Sequence, residues 1–204
     1  MFIPKPNDSG DFTPPPAGTH LAVCYRFIDL GTQEGSYQGK VTHQRKVLIG
    51  WELPDELMED GKPFIVQQRY TWSMSEKANL RKHLESWRGK AFEERDFGPG
   101  GFNIKNVLGK PCVLTIVHET KDGKTYANIS SVGKPMKGMA APEPINPIVY
   151  FSLEDYSETV YSGLSDGLKT TIAKSPEFRK IASGGSDEGL PERRDADLDD
   201  EIPF

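Results

Sequence analysis

Histidine, cysteine, serine and paired carboxylates are the side chains that could run a reaction, and here each kind falls short of a working set. Gly163-Leu164-Ser165-Asp166-Gly167 has the spacing of a nucleophile elbow. That device needs a strand before the serine and, in a hydrolase of that chain order, a histidine after it. The histidines are His20, His43, His83 and His118, all upstream, so Ser165 reads as a helix N-cap. His83-Leu84-Glu85 followed by Pro111-Cys112 has part of the spacing of a zinc-deaminase site. The second cysteine is missing, because Val113, Leu114 and Thr115 follow Cys112. Gly98 to Gly101 lacks the Gly-Lys-Ser/Thr that makes a phosphate loop. Asp55/Glu56 and Glu59/Asp60 lie in a polar turn beside Gly61, where solvated carboxylates are the default. Cys24 and Cys112 stand far apart in apolar runs with no CxxC or Cys/His partner, which predicts buried free thiols. No enzyme, metal or cofactor is expected.

What does accumulate is the chemistry of a groove that stacks flat rings and follows phosphates. Aromatic faces hold bases and cations hold the backbone, each stacked base contributing roughly 1–3 kcal/mol. One stretch supplies Arg45, Lys46 and Trp51, the next Arg69, Tyr70 and Trp72. Tyr37 and Lys40 stand at a connecting loop, Tyr25 and Arg26 precede it, and Lys121 and Lys124 flank a later turn. For the aromatics two readings stand side by side, since Trp51 next to Ile49 fits a core position equally well. Charged groups on strands rarely face a core, so Arg45, Lys46 and Arg69 are the firmer members. Lys77, Arg81, Lys82 and Arg88 read as a solvated helix face, and Lys121 and Lys124 either reach the groove or keep their turn soluble.

Alternating apolar positions supply the elements that must position these groups. Strands are expected over Thr19–Leu30, Lys40–Leu53 and Pro63–Met74, with Gly50 marking a bulge or bend in the second. The period then changes: Ser75 caps a helix to Arg88, with Leu80, Leu84 and Trp87 as one stripe and Gly89 as its stop. Pro111–His118 and Thr125–Val132 form a hairpin around Lys121-Asp122-Gly123-Lys124. Five strands with a helix between the third and fourth fit a mainly β, α+β domain. The order is that of a five-stranded Greek-key barrel of the oligonucleotide-binding (OB) type. Around that body, residues 18–133, lie a Pro-rich arm (1–17) and a Pro-rich linker (134–147). A helical segment (148–182) and a disordered acidic tail (183–204) complete the chain. In the helical segment Ser152 with Asp155 resembles a capping box, and Ser165–Ala173 and Pro176–Ala182 read as short helices. Its role stays open between packing on the barrel and self-association.

Charge is unevenly spread. From Asp187 onward eight acids face Arg193 and Arg194, a net −6. The whole chain carries −5, so residues 1–186 carry +1. A positive groove must therefore come from local clustering. No apolar run is long enough to span a bilayer, and residues 1–18 lack the regions of a secretory leader, so a cytoplasmic location is expected.

The last residues are Asp197, Leu198, Asp199, Asp200, Glu201, Ile202, Pro203 and Phe204. An acidic run closing on Ile-Pro-Phe resembles the C-terminal tail of bacterial-type single-stranded DNA-binding proteins. Its chemistry suits capture, with the ring in a pocket and carboxylates against basic residues. The stretches Gly18-Thr19-His20 to Leu30-Gly31 and Val47-Leu48-Ile49-Gly50-Trp51-Glu52-Leu53-Pro54 resemble the body of phage- and prophage-encoded members. That likeness covers most of residues 18 to 175. It implies an OB-type barrel that coats single-stranded DNA in replication or recombination, in the host cytoplasm if phage-encoded. Asp197, Asp199, Asp200, Glu201, Ile202, Pro203 and Phe204 would recruit replication, recombination and repair proteins. Housekeeping members carry a long Gly/Gln-rich linker, which this chain replaces, so their tetramer does not carry over. A second reading is an adaptor or recombination mediator that binds such proteins without coating DNA.

Overall fold

The structure, a computed structural model, describes residues 13–184. Its frame is one antiparallel sheet built around an unusually long first strand, β1 (Gly18–Tyr37). The glycine-rich stretch 31–37, expected as a loop, instead continues β1 and pairs with the start of β2 (Lys40–Leu57). Gln38 and Gly39, at φ 49° and 76°, make a two-residue turn whose backbone twist matches the flanking strands. Two register shifts, at Tyr25 and Leu30, put extra residues into β1. Arg26 pairs with Gly50, Tyr25 is the extra residue, and a Cβ at Gly50 would meet Arg26 Cβ at 3.3 Å and the Tyr25 ring at 3.4 Å. Gly50 therefore does accompany a bulge, with the extra residue on the partner strand.

β3 (Pro63–Thr71) pairs with β2, and β4 (Pro111–Lys121) with β5 (Lys124–Gly133). Asp122 and Gly123, both with positive φ, form the expected tight hairpin turn. The order is β3-β2-β1-β4-β5. A sixth strand, β6 (Val149–Phe151), was not expected; it runs parallel to Arg26–Ile28 of β1. Because β4 pairs only with Gly18–Val23, β6 takes up the same side of β1 farther along.

The sheet has six strands and is open, where a five-stranded Greek-key barrel was expected. No ladder joins β3 to β5. Residues 72–110, inserted between β3 and β4, carry α1 (Asn79–Arg88), which packs against β3 and β5, the two strands at the ends of the order. Its buried Leu80, Leu84 and Trp87 join the core the strands share. The helix starts later than expected. Ser75 is engaged with Ser73, and Ala78 occupies the N-cap position without a side-chain bond.

The sheet has two covered faces. On the inner face Cys24, Phe27, Ile49, Trp51, Val66, Leu114 and Ile116 pack with α1. On the outer face Ile28, Leu30 and Leu48 pack under β6 and three helices, α2 (Glu158–Ser162), α3 (Asp166–Ala173) and α4 (Pro176–Ala182). Segment 148–182 thus packs on the sheet and begins with a strand. Ser157, not Ser152, caps α2, while Ser175 caps α4 as Pro176 takes its first turn. Among the described residues every buried polar side chain (Asp29, Glu52, Ser152, Ser175) lies on this seam. Glu52 accepts bonds from the backbone of Ile145 and Asn146 and from the Asn146 amide, pinning the linker. Glu177 of α4 accepts from the N–H and hydroxyl of Thr32.

Gly31 sits where the seam is tightest. Its φ is 69°, and a Cβ there would lie 2.4 Å from Ser175 Cβ. Gly31→Ala combines left-handed strain with a clash, together about 2–5 kcal/mol. Urea denaturation should show that loss; a variant unfolding at the wild-type midpoint would mean α4 does not press on β1 as described.

Candidate nucleic-acid interface

Strand alternation divides the expected site residues between the two faces. Neighbours such as Arg45 and Lys46 point opposite ways because successive side chains on a strand do so. Trp51 (1 % exposed) and Tyr70 (3 %) are in the inner core, so neither offers a ring face to a base. The Trp51 ring packs 6.2 Å from that of Trp87. Tyr70 meets Nδ1 of His83 through its hydroxyl at 2.9 Å. Tyr25, at the bulge, is also buried, and burial raises its phenol above the ordinary value. These three aromatics hold the fold together where the sequence offered a choice between stacking and packing.

The cations divide as well. Arg45 is a structural residue. Its guanidinium bonds Asp29 Oδ2 at 2.6 Å and Glu154 Oε1 at 2.8 Å. Burial opposes its charge, but the bonds to and charges of Asp29 and Glu154 together outweigh that and raise its pKa. Arg26 lies over the Tyr25 ring at 5.1 Å. Lys46 donates to Gln44 and to Thr71, both at 2.7 Å, so it braces β2 against β3. Arg69 is exposed on the outer face, paired in register with Leu48. Lys40, Lys121 and Lys124 are exposed at the tips of the two hairpins. Tyr37 shares the first of these hairpins, paired with Lys40. Of the cations expected on a solvated helix face, Lys77 and Lys82 are exposed, whereas Arg81 and Arg88 are half-buried and engaged. Arg81 bonds Glu85 and two backbone carbonyls, and Arg88 stacks on Phe92 at 4.2 Å while bonding Asp96.

One expected aromatic is open to solvent. Trp72, 39 % exposed, follows β3 and is held by its N–H donating to the Arg45 carbonyl at 2.7 Å. Its ring stands edge-on to Phe27 at 5.8 Å, and Phe27 stacks on Tyr150 at 5.6 Å and 15°. Lys105, in a 3₁₀ turn, places Nζ 4.3 Å from the centre of the Tyr150 ring. Lys105 also lies 3.7 Å from Asp155, a loose and exposed pair. Four elements thus converge on a row of three rings ending in a cation. Tyr150 and Lys105 escaped the sequence reading because Val149-Tyr150-Phe151 is too short to stand out as a strand. Its apolar run beside Pro147 was the available signal. Exposed Tyr126 on β5 was likewise missed.

The two thiols are buried as expected. Burial pushes Cys24 up to about 12 and Cys112 well above its ordinary value, so neither is poised as a nucleophile. The tail residues Asp197, Asp199, Asp200, Glu201, Ile202, Pro203 and Phe204 lie outside the described residues, as do residues 1–12. The near end of the arm is not loose: Pro15 and Pro16 carbonyls accept from His118 and His20. No helix among the described residues is long and apolar enough to cross a membrane. Compared with known proteins, the chain matches no family model and no curated sequence.

Two outcomes follow from these placements. Arg45→Ala strips the partner from the buried Asp29 carboxylate, and should cost about 2–3 kcal/mol in chemical denaturation. A fully buried pair costs about 3–5, and Arg45 keeps some water contact. Unchanged stability would show that Arg45 is free for a ligand. Burial also holds His83 below its ordinary value of 6.5. The unfolded chain takes up that proton first, so stability falls as pH drops below 6.5. His83→Gln should flatten that decline in a series of urea midpoints; an identical slope would exclude His83 as the titrating group.

Proposed function

We propose that the protein binds single-stranded DNA without strong sequence preference, as a non-enzymatic coating protein, and that its acidic Ile-Pro-Phe segment recruits replication, recombination and repair proteins. The observation that carries this reading is exposed Trp72 and half-buried Tyr150, both braced on the buried Phe27 ring, with Lys105 at the Tyr150 end. Rings with an open edge or face and an adjacent cation accept any base while attracting its phosphate. The strand order supports it. Three strands, a helix and two strands, with β1 between β2 and β4, is the connectivity of an OB-type Greek key, which need not close fully. In that reading the β1–β2 and β4–β5 hairpins, with Lys40, Lys121 and Lys124, are the two contact loops.

The adaptor reading has one observation in its favour. Arg45, Lys46 and Arg26, three of the strand cations, are engaged within the protein. Trp72 separates the two. Trp72→Ala should weaken binding to a thymidine oligonucleotide by about 5- to 150-fold, the equivalent of one stacked base. Lys105→Ala should lower the salt slope by about one released counterion. Fluorescence titration of wild type and variants over a salt series measures both. No binding at low salt, equal preference for duplex, or an affinity indifferent to Trp72 would overturn the proposal.

A further inference from the structure

The 3₁₀ turn that carries Lys105 has a second neighbour. Asn106 and Val107, the next residues of that turn, line a cleft of about 310 Å³, within the range of small-ligand sites. Trp87, Phe102 and Pro135 contribute to its apolar wall. Trp87 donates its indole N–H to the Pro111 carbonyl at 2.8 Å, so it offers the cleft a ring and not a donor. Arg88, also in the lining, is committed to Asp96 and to the Phe92 ring. Lys110 and Lys134 complete the lining; both are exposed, and among the described residues neither has a carboxylate within ion-pair distance. A Cβ at Gly89 would lie 3.2 Å from Lys134 Cδ, so the lysine stem crosses the end of α1 where a side chain would crowd it.

Backbone bonds hold this cleft in a fixed relation to the ring row. The Gly109 N–H donates to the Cys24 carbonyl at 2.7 Å, and the Cys24 N–H donates to the Lys110 carbonyl at 3.1 Å. A Cβ at Gly109 would meet Ile148 at 3.3 Å, so the same turn abuts the residue before β6. Lys105 and Lys110 are thus tied to the part of β1 that carries Phe27. Even fully extended, the chain between them would span about 18 Å, and the 3₁₀ turn shortens it. Flat apolar walls, the Asn106 amide and cations at the rim match the parts of one nucleotide. The ring stacks, an amide that both donates and accepts meets the base edge, and the ammonium groups neutralise phosphate.

We propose that the α1 cleft takes a nucleotide of the bound single strand, its base against Trp87 and Phe102 and its phosphates on Lys110 and Lys134. The strand then runs from Trp72 past Tyr150 and Lys105 into the cleft. This rests on the single-strand reading above and adds to it a second base site and a minimum footprint. Binding at the row tethers the following nucleotides near the cleft, so the second contact is intramolecular and modest contact energy fills it. A strand too short to span both sites gains nothing from the cleft.

The test compares thymidine oligonucleotides of about four and about eight residues, at the low end of the footprints of OB-type proteins. Affinity is read by fluorescence anisotropy on the full chain, and 5-iodouracil photocrosslinks are mapped by mass spectrometry. Wild type should bind the longer strand at least about 10-fold more tightly. Its crosslinks should fall on the peptides of Trp87 and Phe102 as well as on those of Trp72 and Tyr150. Lys110→Glu with Lys134→Glu should erase the length advantage and the cleft crosslinks, while the shorter strand binds as before. Lys82→Glu with Lys174→Glu makes the same charge change on exposed lysines that do not line the cleft, and should keep both. Free 5-iododeoxyuridine monophosphate, lacking the tether, should leave the cleft unlabelled; labelling as strong as by the strand would mean a free-nucleotide site and overturn the strand path. Equal affinity for the two lengths, no cleft crosslinks, or cleft crosslinks that survive the Lys110/Lys134 double variant would overturn this inference and leave the single-strand reading intact. A wild type that binds neither oligonucleotide at low salt would overturn that reading and the inference with it.

Discussion

A single buried carboxylate ties the architecture together. Asp29, on β1, accepts from the Gly31 N–H at the bulge, from Arg45 on β2 and from the Leu153 N–H beyond β6. An unpaired charge in that position would be costly, and each donor comes from a different part of the chain. Satisfying Asp29 therefore requires the bulged strand, its hairpin partner and the C-terminal segment to be in register at once. Glu52 repeats the device at the other end of the seam by holding Ile145 and Asn146. Between them Ile28, Leu30 and Leu48 are covered by Leu168 and Ile172. Hydrophobic burial supplies the driving force for this contact, and the two carboxylates fix its position.

That seam shapes the candidate interface. A small sheet usually leaves its outer face to solvent, but here residues 145–182 cover the part nearest β1. Tyr25 and Arg26, promising as a sequence, are instead packed at the β1 bulge against Gly50. The same segment brings Tyr150 beside Phe27, and this completes the ring row with Trp72.

Much of the strand order was written in the alternation of apolar residues, and the turns in left-handed Asp122-Gly123 and in Gly61. The stripe Leu80, Leu84 and Trp87, with Gly89 in the left-handed region behind it, marks α1 because the helical repeat puts those side chains together. Pro176–Ala182 carried its own N-terminal signal in Ser175 and Pro176, and Ser175 caps that helix. These features are local: each depends on a few residues of backbone geometry. The start of α1 failed for the same kind of reason, because Ser75 had a nearer partner in Ser73.

What stood on its own in the sequence was the inventory: a β-rich body of balanced charge, thiols without partners, no complete catalytic set, and an acidic segment closing on Ile-Pro-Phe. Only the tertiary structure decided which aromatics face solvent. Trp51 and Trp72 have similar sequence surroundings, yet one lies at the middle of a paired strand and the other just past its end. Side-chain period alone cannot separate them, because exposure depends on what covers the strand. Over Trp51 the cover is α1, through Trp87; over the outer face it is residues 145–182, distant in sequence and fixed by Asp29, Glu52 and the small space at Gly31. Contacts of that range are set by packing, and they determined both the open sheet and the place of the candidate site.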